Sequence, residues 1–205
     1  MNEQKMNEPG SVSANMPCWA ADRSKVYLGY CGNLGEAHSL EFLYAIVDNL
    51  DADKFALILA PYGAKSGLLK KYAHGRRGVT MLPSIRRSHF RFIDIHLASL
   101  SKGWTNVCVP SKTVSSVCAG SAFLYFGDEH SDNWVMLHEA GWLLSWSENV
   151  EAGVKKFFAD FRREELAQKK AAAQRIAAQL NAEKAKAFHE IANKICELSK
   201  GKREK

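Results

Sequence analysis

The sequence lacks the features that mark several large classes of protein. Its 205 residues contain five cysteines, an odd number, and no Cys-x-x-Cys pair. We therefore predict neither a zinc site nor a disulfide framework, and this usage is typical of a reducing compartment. No stretch approaches the roughly 18 apolar residues of a membrane-spanning helix. Residues 1–24 lack the continuous apolar run of a secretory signal. We expect a cytoplasmic protein.

Several catalytic signatures are missing as well. The sequence has no Gly-Lys-Ser/Thr phosphate loop, no Gly-x-Gly-x-x-Gly fingerprint and no His-x-Glu metal pair. No order of Ser, His and Asp typical of a hydrolase is found either. Basic residues are not interleaved with aromatic ones, so a nucleic-acid surface is not predicted. A hydrolase or metalloenzyme is not favoured, and we predict no metal and no cofactor.

Positive charge is concentrated in the last quarter of the chain. From Lys155 onward, fourteen Lys and Arg residues stand against seven Asp and Glu, a net charge of +7, whereas the whole chain carries +6. This pattern indicates a basic helical tail. A solvated helix face is the simpler interpretation, and contact with anionic lipid on the cytoplasmic face of a membrane is the alternative.

Short apolar segments alternate with amphipathic ones over some 120 residues. Strands are predicted at residues 26–31, 55–60, 79–82, 93–100, 122–127 and 142–144. Helices are predicted at residues 39–50 and 66–72, around Phe90, after Ser111 and at residues 133–140. Alternation of this kind predicts an α/β fold with a doubly wound parallel sheet, whose ligand crevice lies at the carboxyl ends of the strands.

Three regions are expected along the chain. Residues 1–24 mix polar residues, Pro and Gly without a helical or strand period, and we interpret them as a flexible linker or arm. Residues 25–160 form the predicted Rossmann-like domain. Residues 161–205 form the basic helical tail, whose apolar stripe contains Ile176, Leu180 and Phe188. This stripe either packs on its own domain or meets a partner protein or membrane.

Two stretches are candidate anion sites. Gly32-Asn33-Leu34-Gly35 lies between the first predicted strand and helix, where free backbone amides suit a phosphate, although by position alone a purely structural turn is the simpler explanation of the glycines. In the second stretch, Ser111 is a candidate cap and Lys112 occupies the first turn of a helix that Gly120 closes.

Further polar residues are weaker candidates. His38 lies in the glycine loop, whereas His96, within an apolar strand, is expected to be a hydrogen-bonded core residue. Ser131 and Asp132 follow a predicted strand end, where they could receive ligand hydroxyl groups or cap the next helix.

Ordered motifs between residues 25 and 160 resemble the C-terminal, donor-binding half of GT-B glycosyltransferases, especially the bacterial capsule and exopolysaccharide branch of the family-four type. Residues 30–38 read Tyr-Cys-Gly-Asn-Leu-Gly-Glu-Ala-His and are similar to that branch's Tyr-Ser/Ala-Gly-Asn-Leu-Gly-Arg-Ala-His. Residues 94–100, 103–112 and 127–142 are similar to further motifs of the same branch.

The resemblance implies a Rossmann-like single GT-B half that binds a nucleotide-diphosphate sugar, such as a UDP- or GDP-sugar, for glycosyl transfer. In that family a second domain of similar size binds the acceptor, and this sequence corresponds to the donor half alone. A separate acceptor-domain subunit, a degenerate fragment or a donor module reused for binding would each explain this. The rival interpretation is an inactive module that contacts a protein or membrane through its tail.

The resemblance also assigns roles within the donor site, where no catalytic residue is identified. Backbone amides of the glycine loop would hold phosphate, Lys112 and Lys65 would balance its charge, and Ser115 or Asp132 would meet the ribose or sugar. The predicted nucleotide-sugar site comprises Gly32, Asn33, Leu34, Gly35, Lys65, Ser111, Lys112, Ser115, Gly120, Ser131 and Asp132.

Overall fold

The structure of the chain is a computed structural model that describes residues 16–105, 107, 108 and 110–201, with side chains as far as residue 196. Residues 1–15 of the predicted arm and residues 202–205 of the predicted tail lie outside the described residues. So do Asn106 and Val109, which precede the candidate site at Lys112.

Strands and helices alternate along the described chain. The strands are β1 Val26–Asn33, β2 Phe55–Tyr62, β3 Val79–Met81, β4 Ile95–Ser99, β5 Ala122–Gly127 and β6 Gly141–Ser145. The α-helices are α1 Leu40–Asp48, α2 Ser66–Ala73, α3 Ser111–Cys118, α4 Asp132–Leu137, α5 Val150–Asp160 and α6 Arg163–Gly201. A 3-10 helix, Arg87–Phe92, lies between β3 and β4.

The strands form a parallel sheet in the order β3-β2-β1-β4-β5-β6 within the described residues. This order confirms the predicted doubly wound α/β fold. From β1 the chain proceeds outward through β2 to β3, and from β4 it proceeds outward in the opposite direction through β5 to β6. β1 and β4 therefore flank the topological switch point. Ligand crevices of open parallel sheets form at the carboxyl ends of such a strand pair.

Two helical layers cover the sheet. One layer contains α1, which contacts α2 and α5, and the other contains α3, which contacts α4 and α6. Side chains of β5 alternate between the layers: Leu124 joins the cluster under α1 and α5, whereas Phe123 and Tyr125 join the cluster under α3 and α6. Burial on both faces explains why the strands read as continuous apolar runs.

Local sequence chemistry explains where the helices around the crevice begin and end. The Ser39 hydroxyl accepts a hydrogen bond from the Phe42 amide and caps α1, as predicted. Gly120 has a φ of +71° just after α3, and its amide donates to the Val117 carbonyl at 2.9 Å. A residue without a Cβ adopts this left-handed conformation at little cost, so Gly120 ends the helix.

The last part of the predicted arm packs against the sheet. Cys18–Ala20 forms a short 3-10 helix in which Ala20 is fully buried, and the ring centroid of Trp19 lies 6.0 Å from that of Tyr27. Together with Phe92 these residues pack against Tyr27 of β1 and Ile58 of β2. Apolar side chains spaced without a period were sufficient to anchor the segment, which is why the sequence pattern missed it.

The helical tail is divided between a packed and an exposed part. The chain turns at Phe161 and Arg162, between α5 and α6. In the first half of α6, Leu166 is buried in the cluster under α1 and α5, whereas Ala172 and Ala173 are buried in the cluster under α3 and α6. Farther along, Phe188, Ile191 and Ile195 are 62%, 55% and 61% exposed. Among the described residues, no helix has the length and apolarity needed to cross a membrane.

Candidate anion-binding site at the centre of the sheet

A cavity of about 220 Å³ opens at the carboxyl ends of β1 and β4. It is lined by Cys31, Gly32, Asn33, Tyr62, Arg87, Phe90, His96, Leu97, Ser111, Lys112 and Ser115. The cavity lies at the switch point of the sheet, and the N-terminus of α3 forms one of its walls. Five of the residues that the sequence predicted for the nucleotide-sugar site line it: Gly32, Asn33, Ser111, Lys112 and Ser115.

Lys112 reaches across the cavity wall from α3 to the end of β1. Its Nζ donates to the Asn33 carbonyl oxygen at 2.9 Å and lies 2.9 Å from Nε2 of His38. The same ammonium is 5.1 Å from the ring centroid of Tyr30. The Tyr30 hydroxyl also donates to the Asn33 carbonyl, at 2.8 Å. Lys112 is therefore held in one position by groups that are neutral.

No carboxylate of the described residues forms an ion pair with Lys112. Burial penalises the ammonium form and lowers the pKa of Lys112 from 10.5 to about 8. The side chain still carries its charge at neutral pH, since 7 lies below that value. A cation that is partly desolvated and not neutralised by an acid favours the arrival of an anion.

His38 supports Lys112 from behind. Its Nδ1 lies 2.7 Å from the Ser99 carbonyl oxygen at the end of β4. Burial lowers the pKa of His38, and the nearby charge of Lys112 lowers it further, while the hydrogen bond to Ser99 acts in the opposite direction. Burial, the largest of these causes, therefore favours the neutral imidazole. The sequence identified His38 as a candidate for ligand contact, but not as a partner of Lys112.

The N-terminus of α3 adds backbone donors to the site. Pro110 occupies the N-cap position and provides no side-chain hydrogen bond. The predicted capping role of Ser111 is wrong, because Ser111 is the first helical residue and lies inside the helix. The first amides of a helix have no partner in the preceding turn, and Ser111 and Lys112, the first two residues of α3, both line the cavity.

The glycine loop after β1 contributes in part as predicted. Gly32 has a φ of +122°, and a Cβ built on it would lie 3.5 Å from Cε of Lys112. Leu34 is fully buried, and its amide donates to the Tyr62 carbonyl at 2.7 Å, so this amide already has a partner. The Gly35 carbonyl accepts from the His38 amide at 3.1 Å. Gly32 and Asn33 form the cavity wall, whereas Leu34 and Gly35 shape the loop behind it.

Lys65 lies over this loop rather than in the cavity lining. Its Nζ is 3.4 Å from the Glu36 carboxylate and donates to the His38 carbonyl at 3.3 Å. Glu36 is mostly exposed, with 71% of its side chain accessible. This pairing balances the acid that the sequence places beside the glycine loop.

A second cavity of about 360 Å³ adjoins the first along α3. Arg87, Phe90 and Ser115 line both cavities, and Val114 and Cys118 extend the second. Sequence reasoning did not select Arg87, Phe90 or Tyr62. Their location after predicted strands could have identified them. Tyr62 ends β2, and the basic segment that contains Arg87 and Phe90 follows β3, so all three lie at the carboxyl edge of the sheet.

Three predicted residues lie away from these cavities. Gly120 is at the opposite end of α3, about 12 Å from its N-terminus at 1.5 Å per residue. Ser131 is buried and donates to the Asp128 carbonyl at 2.6 Å, and Asp132 is exposed at the start of α4. His96, in contrast, borders the first cavity: it is buried, its Nε2 is 3.2 Å from the Phe90 carbonyl oxygen, and burial lowers its pKa to about 4.

In the described part of the chain, no three or more His, Cys, Asp or Glu side chains are grouped so that they could hold a metal ion.

The fold is shared with glycosyltransferase domains of known structure. The C-terminal domain of a group 1 family glycosyl transferase (LpcC) from Francisella tularensis matches with a TM-score of 0.56 and 12% identity, over 82% of this chain and 93% of that domain. Alr3699/HepE from Anabaena, solved in complex with UDP and glucose, matches with a TM-score of 0.56 and 16% identity, over 82% of this chain and 49% of that one.

The C-terminal CMP-Kdo binding domain of WaaA from Acinetobacter baumannii matches with a TM-score of 0.51 and 12% identity, over 75% of this chain and 90% of that domain. This chain spans 43% to 52% of four longer glycosyltransferases that it matches. No protein-family model and no curated protein sequence matches it. The chain therefore has the fold of a GT-B glycosyltransferase C-terminal domain.

Proposed function

We propose that this chain is the donor-binding half of a glycosyltransferase and that its central cavity binds a nucleotide-diphosphate sugar. The donor would be a UDP- or GDP-sugar used in polysaccharide or glycoconjugate synthesis, as the motif resemblance to the capsule and exopolysaccharide branch implies. One structural match, Alr3699/HepE, was solved with UDP and glucose, which supports this class of ligand.

The environment of Lys112 carries the proposal. Its ammonium lies beside the N-terminus of α3, and neutral groups alone hold it within the described residues. A diphosphate would place its negative charge between this ammonium and the first amides of the helix. Charge-assisted hydrogen bonds of this kind contribute about 1.5–3 kcal/mol each. The diphosphate leaving group of glycosyl transfer needs this electrostatic stabilisation.

The second cavity supplies room for the nucleoside. Phe90 and Arg87 present planar groups at the junction of the two cavities, and Ser115 presents a hydroxyl there. Planar side chains stack on bases, and a hydroxyl bonds a ribose. In this arrangement the diphosphate occupies the first cavity, the nucleoside lies along α3, and the sugar projects over the carboxyl edge of the sheet.

An acceptor domain is expected to cover this edge. Large apolar side chains on segments that follow the carboxyl ends of strands are exposed to solvent: Tyr62 at the end of β2 by 63%, Val107 before α3 by 67% and Val135 on α4 by 62%. Exposed apolar side chains favour a protein partner where they form a continuous surface. Affinity purification of the tagged chain from its natural source tests this. The Tyr62→Glu, Val135→Glu double variant should lose a partner that the wild type retains.

Isothermal titration calorimetry with a panel of UDP-, GDP-, CDP- and TDP-sugars tests donor binding. Wild-type protein should bind at least one nucleotide family. Lys112→Ala should bind it about 100-fold more weakly, since a lost charge-assisted contact costs about 2–3 kcal/mol.

Lys70→Ala is the matched control for that titration. Lys70 is an exposed lysine of α2 outside the cavity, so its removal changes net charge equally. If both variants bound the nucleotide sugar equally weakly, the loss of affinity would be due to the change in net charge alone. Absence of binding by every member of the panel would contradict the proposal.

A second role is favoured by the exposed half of α6. Phe188, Ile191 and Ile195 lie on one face, and Lys184 lies beside them, with its Nζ 5.9 Å from the ring centroid of Phe188. We propose attachment of this face to an anionic membrane surface, with or without catalysis. Cosedimentation with vesicles containing phosphatidylglycerol should fall when Phe188 and Ile191 are replaced by Ser. Unchanged cosedimentation would contradict it.

A further inference from the structure

His38 connects two elements on opposite sides of the switch point. It belongs to the loop between β1 and α1, its Nδ1 lies 2.7 Å from the Ser99 carbonyl of β4, and its Nε2 lies 2.9 Å from Nζ of Lys112 on α3. The Ser99 hydroxyl in turn accepts from the Ser39 amide at 3.0 Å. The imidazole is thus fixed by β4 at one nitrogen and contacts the candidate anion-binding lysine at the other.

These contacts determine the tautomer. A carbonyl oxygen only accepts hydrogen bonds, so Nδ1 of His38 must carry the proton. A neutral imidazole has a single N–H, and Nε2 therefore presents a lone pair toward Lys112. The Lys112 ammonium donates to that lone pair and to the Asn33 carbonyl, so two of its three N–H groups are used inside the protein.

The charged and titratable groups around His38 are consistent with a neutral ring. Lys112 approaches from α3 and Lys65 from the loop after β2, and both are cations. Tyr30 of β1 packs edge-on at 6.3 Å between ring centroids. Glu36 in the same loop pairs with Lys65. Cations on two sides oppose protonation of the imidazole, which preserves its role as an acceptor.

We propose that His38 is the positioning residue of the anion site: as the Nδ1–H tautomer, it holds the Lys112 ammonium at the end of β1 with one N–H left for the ligand. The proposal deepens the proposed function and rests on it for the ligand class. It adds that a neutral histidine fixes the orientation of the cation. Without this acceptor, the flexible lysine side chain would have to be ordered by the anion itself, and ordering costs affinity.

The tautomer can be tested without any ligand. Long-range 1H–15N NMR of the full wild-type chain at pH 7 should show His38 neutral and protonated at Nδ1. A protonated ring or a dominant Nε2–H tautomer would overturn the proposal. This readout holds whether or not nucleotide sugars bind, so it separates failure of the positioning role from failure of the proposed function.

Two variants test the effect on Lys112. His38→Phe fills the space without an acceptor, and His38→Gln keeps an acceptor oxygen. In His38→Phe the Lys112 pKa, measured by NMR of 13Cε-labelled lysine, should fall by about one unit, because the ammonium loses a hydrogen bond worth about 1.4 kcal/mol. His38→Gln should recover most of this change.

Affinity for inorganic pyrophosphate should fall about tenfold in His38→Phe and by much less in His38→Gln. His74→Phe, at an exposed histidine after α2, is the control for a general effect of the substitution. A Lys112 pKa that is the same in His38→Phe and wild type would overturn the proposal, even if the variant is less stable, since packing alone would then be the role of His38.

Discussion

Two lysines at opposite ends of the same sheet have opposite environments. Lys170 of α6 forms an ion pair at the amino end of β4, where its Nζ is 2.8 Å from one carboxylate oxygen of Asp94. The other oxygen of Asp94 accepts from the Tyr27 amide at 3.0 Å. Lys112 lies at the carboxyl end, and within the described residues only neutral groups hold it.

This contrast separates a structural cation from a binding cation. Lys170 and Asp94 have 30% and 14% of their side chains exposed, and each satisfies the charge of the other. The pair joins α6 to β1 and β4 with no charge left for a ligand. At Lys112 the protein provides hydrogen-bond acceptors but no opposite charge. An anionic ligand can therefore still form an ion pair with this ammonium and gain its electrostatic stabilisation.

The largest expected effect is loss of the ion pair at the amino end. Asp94→Asn keeps an acceptor for the Tyr27 amide but leaves the Lys170 charge without its partner. We expect the free energy of unfolding to fall by about 2–3 kcal/mol, because a broken partly buried pair leaves an uncompensated ion. Urea denaturation monitored by circular dichroism measures this change.

The double variant Asp94→Asn, Lys170→Met is the control. Removing the unpaired Lys170 ammonium should restore part of the lost stability. The change in the free energy of unfolding of the double variant should therefore be smaller than the sum of the changes for the two single variants. If Asp94→Asn is as stable as wild type, Lys170 is simply a surface cation and the contrast with Lys112 fails.

The next effect concerns ligand binding and pH. Lys112 has a pKa of about 8 in the free protein. Above pH 7.5 the phosphates of UDP are fully ionised, since the second phosphate pKa is about 6. Affinity for UDP should therefore fall about tenfold between pH 7.5 and 9.5 as Lys112 loses its proton. Binding should be accompanied by proton uptake, measured by calorimetry in buffers of different ionisation enthalpy.

Lys112→Met should remove this dependence, and Lys170→Met should not. A wild-type affinity that stays constant over the same pH range would show that the charge of Lys112 does not contribute to binding.

The smallest expected effect is the change in the free energy of unfolding when Lys112, at the carboxyl end of the sheet, is replaced. The pKa of Lys112 is lowered on folding from 10.5 to about 8, so the unfolded chain binds the proton more tightly. The charged lysine therefore costs stability below pH 8, and this cost disappears as the pH rises from 8 toward 10.5. After allowance for lost hydrogen bonds, Lys112→Met should be more stable than wild type by about 1 kcal/mol at pH 7.

Thermal unfolding at pH 7 and pH 10 provides the measurement. The advantage of Lys112→Met should shrink at the higher pH. A variant that is less stable than wild type at pH 7 would mean that the contacts of the lysine outweigh its burial, as they do for Lys170.

Much of the fold was predictable because it depends on short-range patterns. β5 was predicted at residues 122–127 and observed as Ala122–Gly127, since an apolar run between Gly120 and the turn after Gly127 has few alternatives. The Ser39 cap and the Gly120 helix end follow from single residues with strong conformational preferences. The start of α3 was less predictable, because Pro110 and Ser111 both suit a helix N-terminus.

The candidate site was predictable only in outline. Gly32 was selected as part of a glycine turn between a strand and a helix, and Lys112 as a lysine in the first turn of a helix. Arg87, Phe90 and Tyr62 were missed because nothing in their local sequence marks them, and they join the cavity through the positions of β2 and the 3-10 helix. Glycine and lysine both suit a phosphate site, but Gly120 and Lys65 lie outside the cavity. Gly120 lies beside Gln174 of α6, and Lys65 pairs with Glu36.

The sequence by itself determined the alternation of strands and helices, the position of the glycine turn and the presence of a lysine at a helix start. The tertiary structure alone decided what surrounds that lysine. Lys112 meets Asn33 and His38, which are 79 and 74 residues away, and Lys170 meets Asp94 at a distance of 76 residues. Charge compensation depends on which groups the crossovers of a parallel sheet bring within a few ångströms, and sequence periodicity carries no information about that.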